Sequence, residues 1–226
     1  MEVKEWLKAN GEEEYRRLSA RLIQSRYPAL GVRMPLLRKK AGQLVSEHGE
    51  TALEMLDDSC LEMVMLQGFV IAALKKPLAE KEEAIYHYLL KCDNWSLIDS
   101  FSSSFRINGK ESAELYRFLS SLKQDEHEYV RRFVLVVMQK YLDDEHIDDI
   151  IAYLKQLGSD EYCVEMAAGW LLASAYINYP QKVLSITDDL SESTYRYARG
   201  KINDSYRITM EKKKEYREAR NGNKSK

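Results

Sequence analysis

The 226-residue chain is 45% apolar, carries a formal net charge of −2 and contains three cysteines. That length and apolar share support a real core, and the near-neutral balance gives no global electrostatic sign of a nucleic-acid partner. Cys60, Cys92 and Cys163 are odd in number and lack CxxC spacing, which speaks against a disulfide framework or a zinc site and fits a reducing, cytoplasmic setting.

In chain order the elements read as helices throughout. The charged start, Met1 to Trp6, has no apolar h-region, so no signal peptide is expected. No apolar run approaches membrane-spanning length, so no membrane partner is expected. Trp6 to Tyr27 reads as one amphipathic opening helix, and a second runs from Pro35 towards His48. Helix pairs follow. First members are predicted at Leu61–Lys76, Trp95–Ile107, Glu128–Leu142 and Cys163–Ile177. Second members are predicted at Glu80–Lys91, Lys110–Leu122, Ile147–Leu157 and Gln181–Asp188. The run Val130–Val137 is rich in β-branched residues. Even so, Val130, Phe133, Val134, Val137, Met138 and Tyr141 follow the i, i+3, i+4, i+7, i+8 pattern of a helix.

Met65, Asp99, Arg132 and Trp170 mark the first members at separations of 34, 33 and 38 residues. A period in the thirties built from helix–turn–helix units signals an α-solenoid. The tetratricopeptide pattern is missing, so HEAT-like antiparallel pairs around a concave groove are the predicted architecture. It should occupy residues 1–210 as one domain. From Glu211 to Lys226 there are seven Lys/Arg against three Glu, a net of +4 that leaves −6 on the remainder. Residues 211–226 therefore read as a basic, disordered tail.

The chemistry is concentrated in a few positions. Trp95 and Asp99 are four apart, which puts an indole and a carboxylate on one helix face. Arg132 and Trp170 each sit in a helix of their own. Two aromatic faces, one carboxylate and one guanidinium suit a cleft that favours a developing positive charge. Each also has a plainer reading: Asp99 as a helix-end or salt-bridge partner, the indoles as packing wedges, and Arg132 as a surface charge. His48, His87, His127 and His146 are scattered, with no HExxH pair, and neither a metal nor a cofactor is expected.

Four segments resemble the DNA alkylation repair proteins of the AlkD type. Gly31-Val32-Arg33-Met34-Pro35-Leu36-Leu37-Arg38 resembles their N-terminal G-[VI]-R-x-P-x-L-R element, and Asn94 to Asp99 resembles their W-x-x-x-D element. Tyr129 to Phe133 resembles the element with the active-site arginine, and Tyr162 to Trp170 the one ending in the second tryptophan. The segments occur in order over nearly the whole chain. The resemblance implies a HEAT-like DNA glycosylase that excises cationic N3- and N7-alkylated purines from duplex DNA without base flipping. It implies Asp99 as the catalytic carboxylate, Trp95 and Trp170 packed on the deoxyribose, and Arg132 at the backbone near the lesion. Arg33, Arg38, Lys39, Lys40, Arg131, Arg196, Arg199, Lys201 and Arg207 are then candidate phosphate contacts, in a protein expected to act as a monomer. Glu165, Met166 and Ala173 stand where cations are expected in such relatives, and losing phosphate contacts weakens duplex binding. A non-catalytic HEAT-like module that binds DNA structures or a protein partner is the alternative.

Overall fold

The computed structural model describes residues 2–106, 109–158 and 161–220. Among them all regular structure is helical, with no strand. The chain is all-α and of the α-solenoid class, as expected. It forms two compact units, residues 1–118 and 119–226. Helical-repeat chains divide readily in this way because each pair packs mainly on its sequence neighbours.

The first unit contains α1 (Val3–Ala9), α2 (Glu13–Leu22), α3 (Met34–His48), α4 (Leu61–Ala73), α5 (Glu82–Lys91) and α6 (Trp95–Ser102). α7 (Lys110–Ser121) runs across the division. α4 is the core: every residue from Leu61 to Ile71 is buried, and α3, α5 and α6 all pack on it. Burying each large aliphatic side chain there contributes about 1.5–3 kcal/mol.

The predicted opening helix is two helices. Between α1 and α2 the Asn10 side chain donates to the Trp6 carbonyl at 2.8 Å, and Gly11 lies so close to the Leu30 carbonyl that a Cβ would stand 2.4 Å from its oxygen. Gly11, lacking a Cβ, admits this approach at the break, and the partner lies well along the chain. The Trp95–Ile107 helix ends early, at Ser102. The hydroxyls of Ser100, Ser103 and Ser104 bond back to the carbonyls of Leu97 and Ser100 and compete with helical continuation. Ile107 lies outside the described residues.

The second unit contains α8 (Glu128–Met138), α9 (Ile147–Gln156), α10 (Tyr162–Asn178), α11 (Pro180–Leu184), α12 (Glu192–Asp204) and α13 (Met210–Ala219). α10 is its core, packed against α8, α11 and α12. The predicted 181–188 helix stops at Leu184, where Ser185 and Thr187 turn their hydroxyls back to the Lys182 and Leu184 carbonyls. α12 was not anticipated.

The predicted disorder from residue 211 is overturned for the described part of that segment, because 210–219 is a helix. Tyr216 on α13 is fully buried, stacked on Tyr195 (5.1 Å, 11°) and edge-on to Tyr176 (5.3 Å). The Tyr176 and Tyr195 hydroxyls donate to the Lys212 and Tyr216 carbonyls, both at 2.9 Å. One buried aromatic anchors an otherwise charged helix, a feature that composition alone conceals. Residues 221–226 lie outside the described residues.

Candidate functional site

α6 is an eight-residue helix with two unlike faces. Ser96, Leu97, Ile98, Ser100, Phe101 and Ser102 are buried, whereas Trp95 is 41% exposed and Asp99 is half-buried on the other face. The predicted one-turn juxtaposition of indole and carboxylate is present. Large apolar side chains are ordinarily covered, so a tryptophan 41% exposed on α6 is available to a ligand.

The N-terminus of α6 is built as a chain of hydrogen bonds. Asn94, itself buried, caps the helix by accepting the Ser96 and Leu97 amides at 3.0 and 3.1 Å. Its amide donates to Asp93 at 2.7 Å, and the Asp93 carboxylate accepts from the Ser25 hydroxyl and the Arg26 amide. Arg26 and Tyr27 also donate to the Lys91 carbonyl that ends α5. These residues were not read from the sequence as part of the site. The Asn immediately before Trp95 was the available signal, being a preferred N-cap residue.

The C-terminus of α6 is held by Arg38 of α3. Its Nη1 donates to Ser104 Oγ at 2.7 Å, and its Nη2 to the Ser100 carbonyl at 2.8 Å and to Ser103 Oγ at 2.6 Å. The guanidinium lies 4.3 Å from the Phe69 ring centroid. Burial pushes the Arg38 pKa below the usual guanidinium value, yet the group stays charged at any ordinary pH.

In the second unit Arg132 and Trp170 have different characters. Arg132 is only 4% exposed, and its Nη1 donates to the Cys163 carbonyl at 2.9 Å, tying α8 to the first turn of α10. Trp170 is 39% exposed and lies further along α10. It belongs to a stripe of Tyr162, Met166, Trp170 and Ser174, spaced by four, on a helix whose other residues are buried as far as Tyr176. Tyr162, 58% exposed, meets the Tyr197 ring edge-on at 5.9 Å, and the Arg196 guanidinium lies 5.3 Å from that ring. Tyr162 and Tyr197 were also missed, although the i, i+4, i+8 spacing of Tyr162 and Trp170 was legible.

The predicted phosphate contacts are not equivalent. Arg33 makes a bidentate pair with Glu12 and stacks over Tyr15. Lys40 sits over the Trp6 ring at 5.4 Å, and Arg131 pairs with Glu161. Lys39 is exposed on α3, and Arg196, Arg199 and Lys201 are exposed on α12, with Arg207 exposed just beyond it. Glu165 is buried and accepts the Ser191 hydroxyl at 2.6 Å. Ser191 in turn caps α12 through the Thr194 amide, so Glu165 stabilises a helix start.

Among the described residues no cluster of His, Cys, Asp and Glu gathers to hold a metal ion, and no helix is long and apolar enough to cross a membrane. A recess of about 800 Å³ in the first unit is lined by Lys75, Lys76, Lys81, Arg106 and Glu111, with neither Trp95 nor Asp99 in its wall. The chain matches the family described as DNA alkylation repair enzyme over residues 3–202. No curated protein matches it.

Proposed function

The chain belongs to the DNA alkylation repair enzyme family, and from that premise we propose that it is a monofunctional glycosylase. Its substrates on this reading are cationic N3- and N7-alkylated purines in duplex DNA. The family assigns the role in DNA alkylation repair. The specific chemistry is argued from the side chains.

An alkylated purine that already bears a positive charge leaves as a neutral base, so departure needs no general acid. The remaining barrier is the oxocarbenium-like sugar, whose cationic character must be stabilised. A single carboxylate does this and orients the attacking water. Asp99 takes that role. Trp95, one turn away on the same face of α6, offers its ring to the deoxyribose, and each indole face adds about 0.5–2 kcal/mol for a cation when desolvated. Trp170 is a second such surface. The observation that carries the reading is the pairing on α6 of an indole 41% exposed with a half-buried carboxylate. Excision on this reading proceeds without base flipping.

Arg132 supports α10, the helix that bears Trp170, through the Cys163 carbonyl. Lys39, Arg199 and Lys201 are the phosphate contacts of this reading, since their charges face solvent. They position the duplex without reading its sequence.

Release of 7-methylguanine or 3-methyladenine from methylated duplex, measured against an Asp99→Asn control, tests the proposal. Equal release by the two proteins overturns it.

One observation favours the non-catalytic alternative. Arg33 and Arg131 are committed to carboxylates and Arg38 to α6, which leaves fewer cations for a duplex. Duplex affinity that barely changes with salt would support it.

A further inference from the structure

We infer that Arg38 is a positioning residue for the excision site, fastening the C-terminal turn of α6 and so fixing how Trp95 and Asp99 are presented. The inference rests on the functional reading above.

α6 spans Trp95 to Ser102. A helix this short does not hold its own shape in water, so its geometry comes from its ends and its buried face. The N-terminal end has the Asn94 cap. At the C-terminal end one charged group meets three acceptors, the Ser100 carbonyl and the Ser103 and Ser104 hydroxyls, all within 2.6–2.8 Å. Ser100 is the residue after Asp99, and the Ser103 amide donates to the Asp99 carbonyl at 3.1 Å. The Arg38 contacts thus act one peptide unit from the carboxylate that does the chemistry.

The charge also has the right sign for this place. Helix C-termini present partial negative charge, which a guanidinium there offsets. A guanidinium is a planar fork that serves several acceptors at once, whereas an ammonium is a point charge. Arg38 lies on the Phe69 ring with its donors turned to protein acceptors, an arrangement unlike a side chain reaching for phosphate.

The experiment compares the full chain with Arg38→Gln, Arg38→Lys and the Ser103→Ala/Ser104→Ala pair. Three quantities are measured: the single-turnover rate of 7-methylguanine release at saturating enzyme, duplex affinity over a salt series, and amide exchange along α6. A positioning role lowers the rate of Arg38→Gln by about 10- to 100-fold, the scale on which small misplacements act. Affinity and its salt slope stay unchanged, and the amides of 97–104 exchange faster while those of α4 do not. The serine pair lowers the rate in the same direction, and lysine fails to restore it. A phosphate-contact role gives the opposite pattern, with weaker binding, a salt slope shallower by about 0.9 and an unchanged rate at saturation, which overturns the inference. If Arg38→Gln does not fold, the serine pair decides, because it leaves the guanidinium in place. Absence of release by the wild-type protein condemns the glycosylase reading, while amide exchange still shows whether Arg38 fastens α6.

Discussion

Glu62 Oε1 accepts the Gly31 amide at 2.6 Å from a side chain only 3% exposed. The same carboxylate accepts the Leu30 and Val32 amides. The core helix α4 therefore holds the turn from which α3, with Arg38, is launched. Gly31 has φ +86°, and a Cβ there would stand 2.4 Å from the Glu12 carbonyl oxygen.

Glu62→Ala is expected to destabilise the chain by roughly 3 kcal/mol, because it orphans buried amides that now bond to a charge. Gly31→Ala adds a backbone cost of about 1–3 kcal/mol to the clash. Thermal unfolding checks both, at roughly 2–4 °C per kcal/mol for a chain of this size. An unchanged melting temperature in either variant contradicts the anchoring role.

Tyr216→Ala is expected to cost about 3–5 kcal/mol, as for other large buried aromatics. Truncation after Thr209 should be at least as damaging, since it uncovers Tyr176 and Tyr195 as well. Denaturant titration measures this, and a truncated chain of full stability would restore the view of the segment as a dispensable tail.

Gly169→Ala places a Cβ 2.7 Å from Tyr197 Cβ and 2.8 Å from the Ala198 amide nitrogen, where α10 meets α12. Overpacking of this kind costs about 1–3 kcal/mol, and because Trp170 is the next residue the excision rate should fall too. Gly42→Ala on α3 meets nothing within 4 Å and should be neutral or gain about 0.5–1 kcal/mol from helix propensity. Equal effects at the two glycines would argue against a tight α10–α12 contact.

Alkaline pH should weaken the fold. Burial pushes the phenols of Tyr88, Tyr153, Tyr176, Tyr195 and Tyr216 above the ordinary tyrosine value of 10.0. Their folded state holds the proton more tightly than the unfolded state. The resulting stability is complete below about pH 10 and is lost as pH rises from there through the folded values. Phenolate absorbance should show these tyrosines ionising late, together with unfolding. Ionisation of these five phenols near pH 10 in a chain that stays folded contradicts this.

Arg132→Ala removes the donor to the Cys163 carbonyl and should cost about 1.5–3 kcal/mol, the scale for hydrogen bonds to charged groups. A variant that loses excision with no loss of stability would move Arg132 from helix support to direct contact with DNA.

Much of the fold was legible because helix periodicity survives in a solenoid. The predicted first members at 61, 95, 128 and 163 begin within a residue of α4, α6, α8 and α10. Burial is repetitive there, and each helix shows its buried face as a spacing of apolar residues. The Trp95–Asp99 relation was legible for the same reason, since one turn of helix fixes it. The errors lie where distant residues intervene. Leu30 packs against Gly11 where the opening helix is broken, and Tyr176 and Tyr195 pack around Tyr216 on α13.

Sequence alone settled the helical class, the family resemblance and the placing of an indole one turn from a carboxylate, because spacing within a helix is set by local geometry. Tertiary structure alone decided which cations have work inside the protein. Arg33 is bound to Glu12, Arg38 to the end of α6, Arg131 to Glu161 and Arg132 to Cys163. A guanidinium looks the same in a sequence whether it faces phosphate or a carbonyl, and only the packing of other helices determines which acceptor lies within its reach.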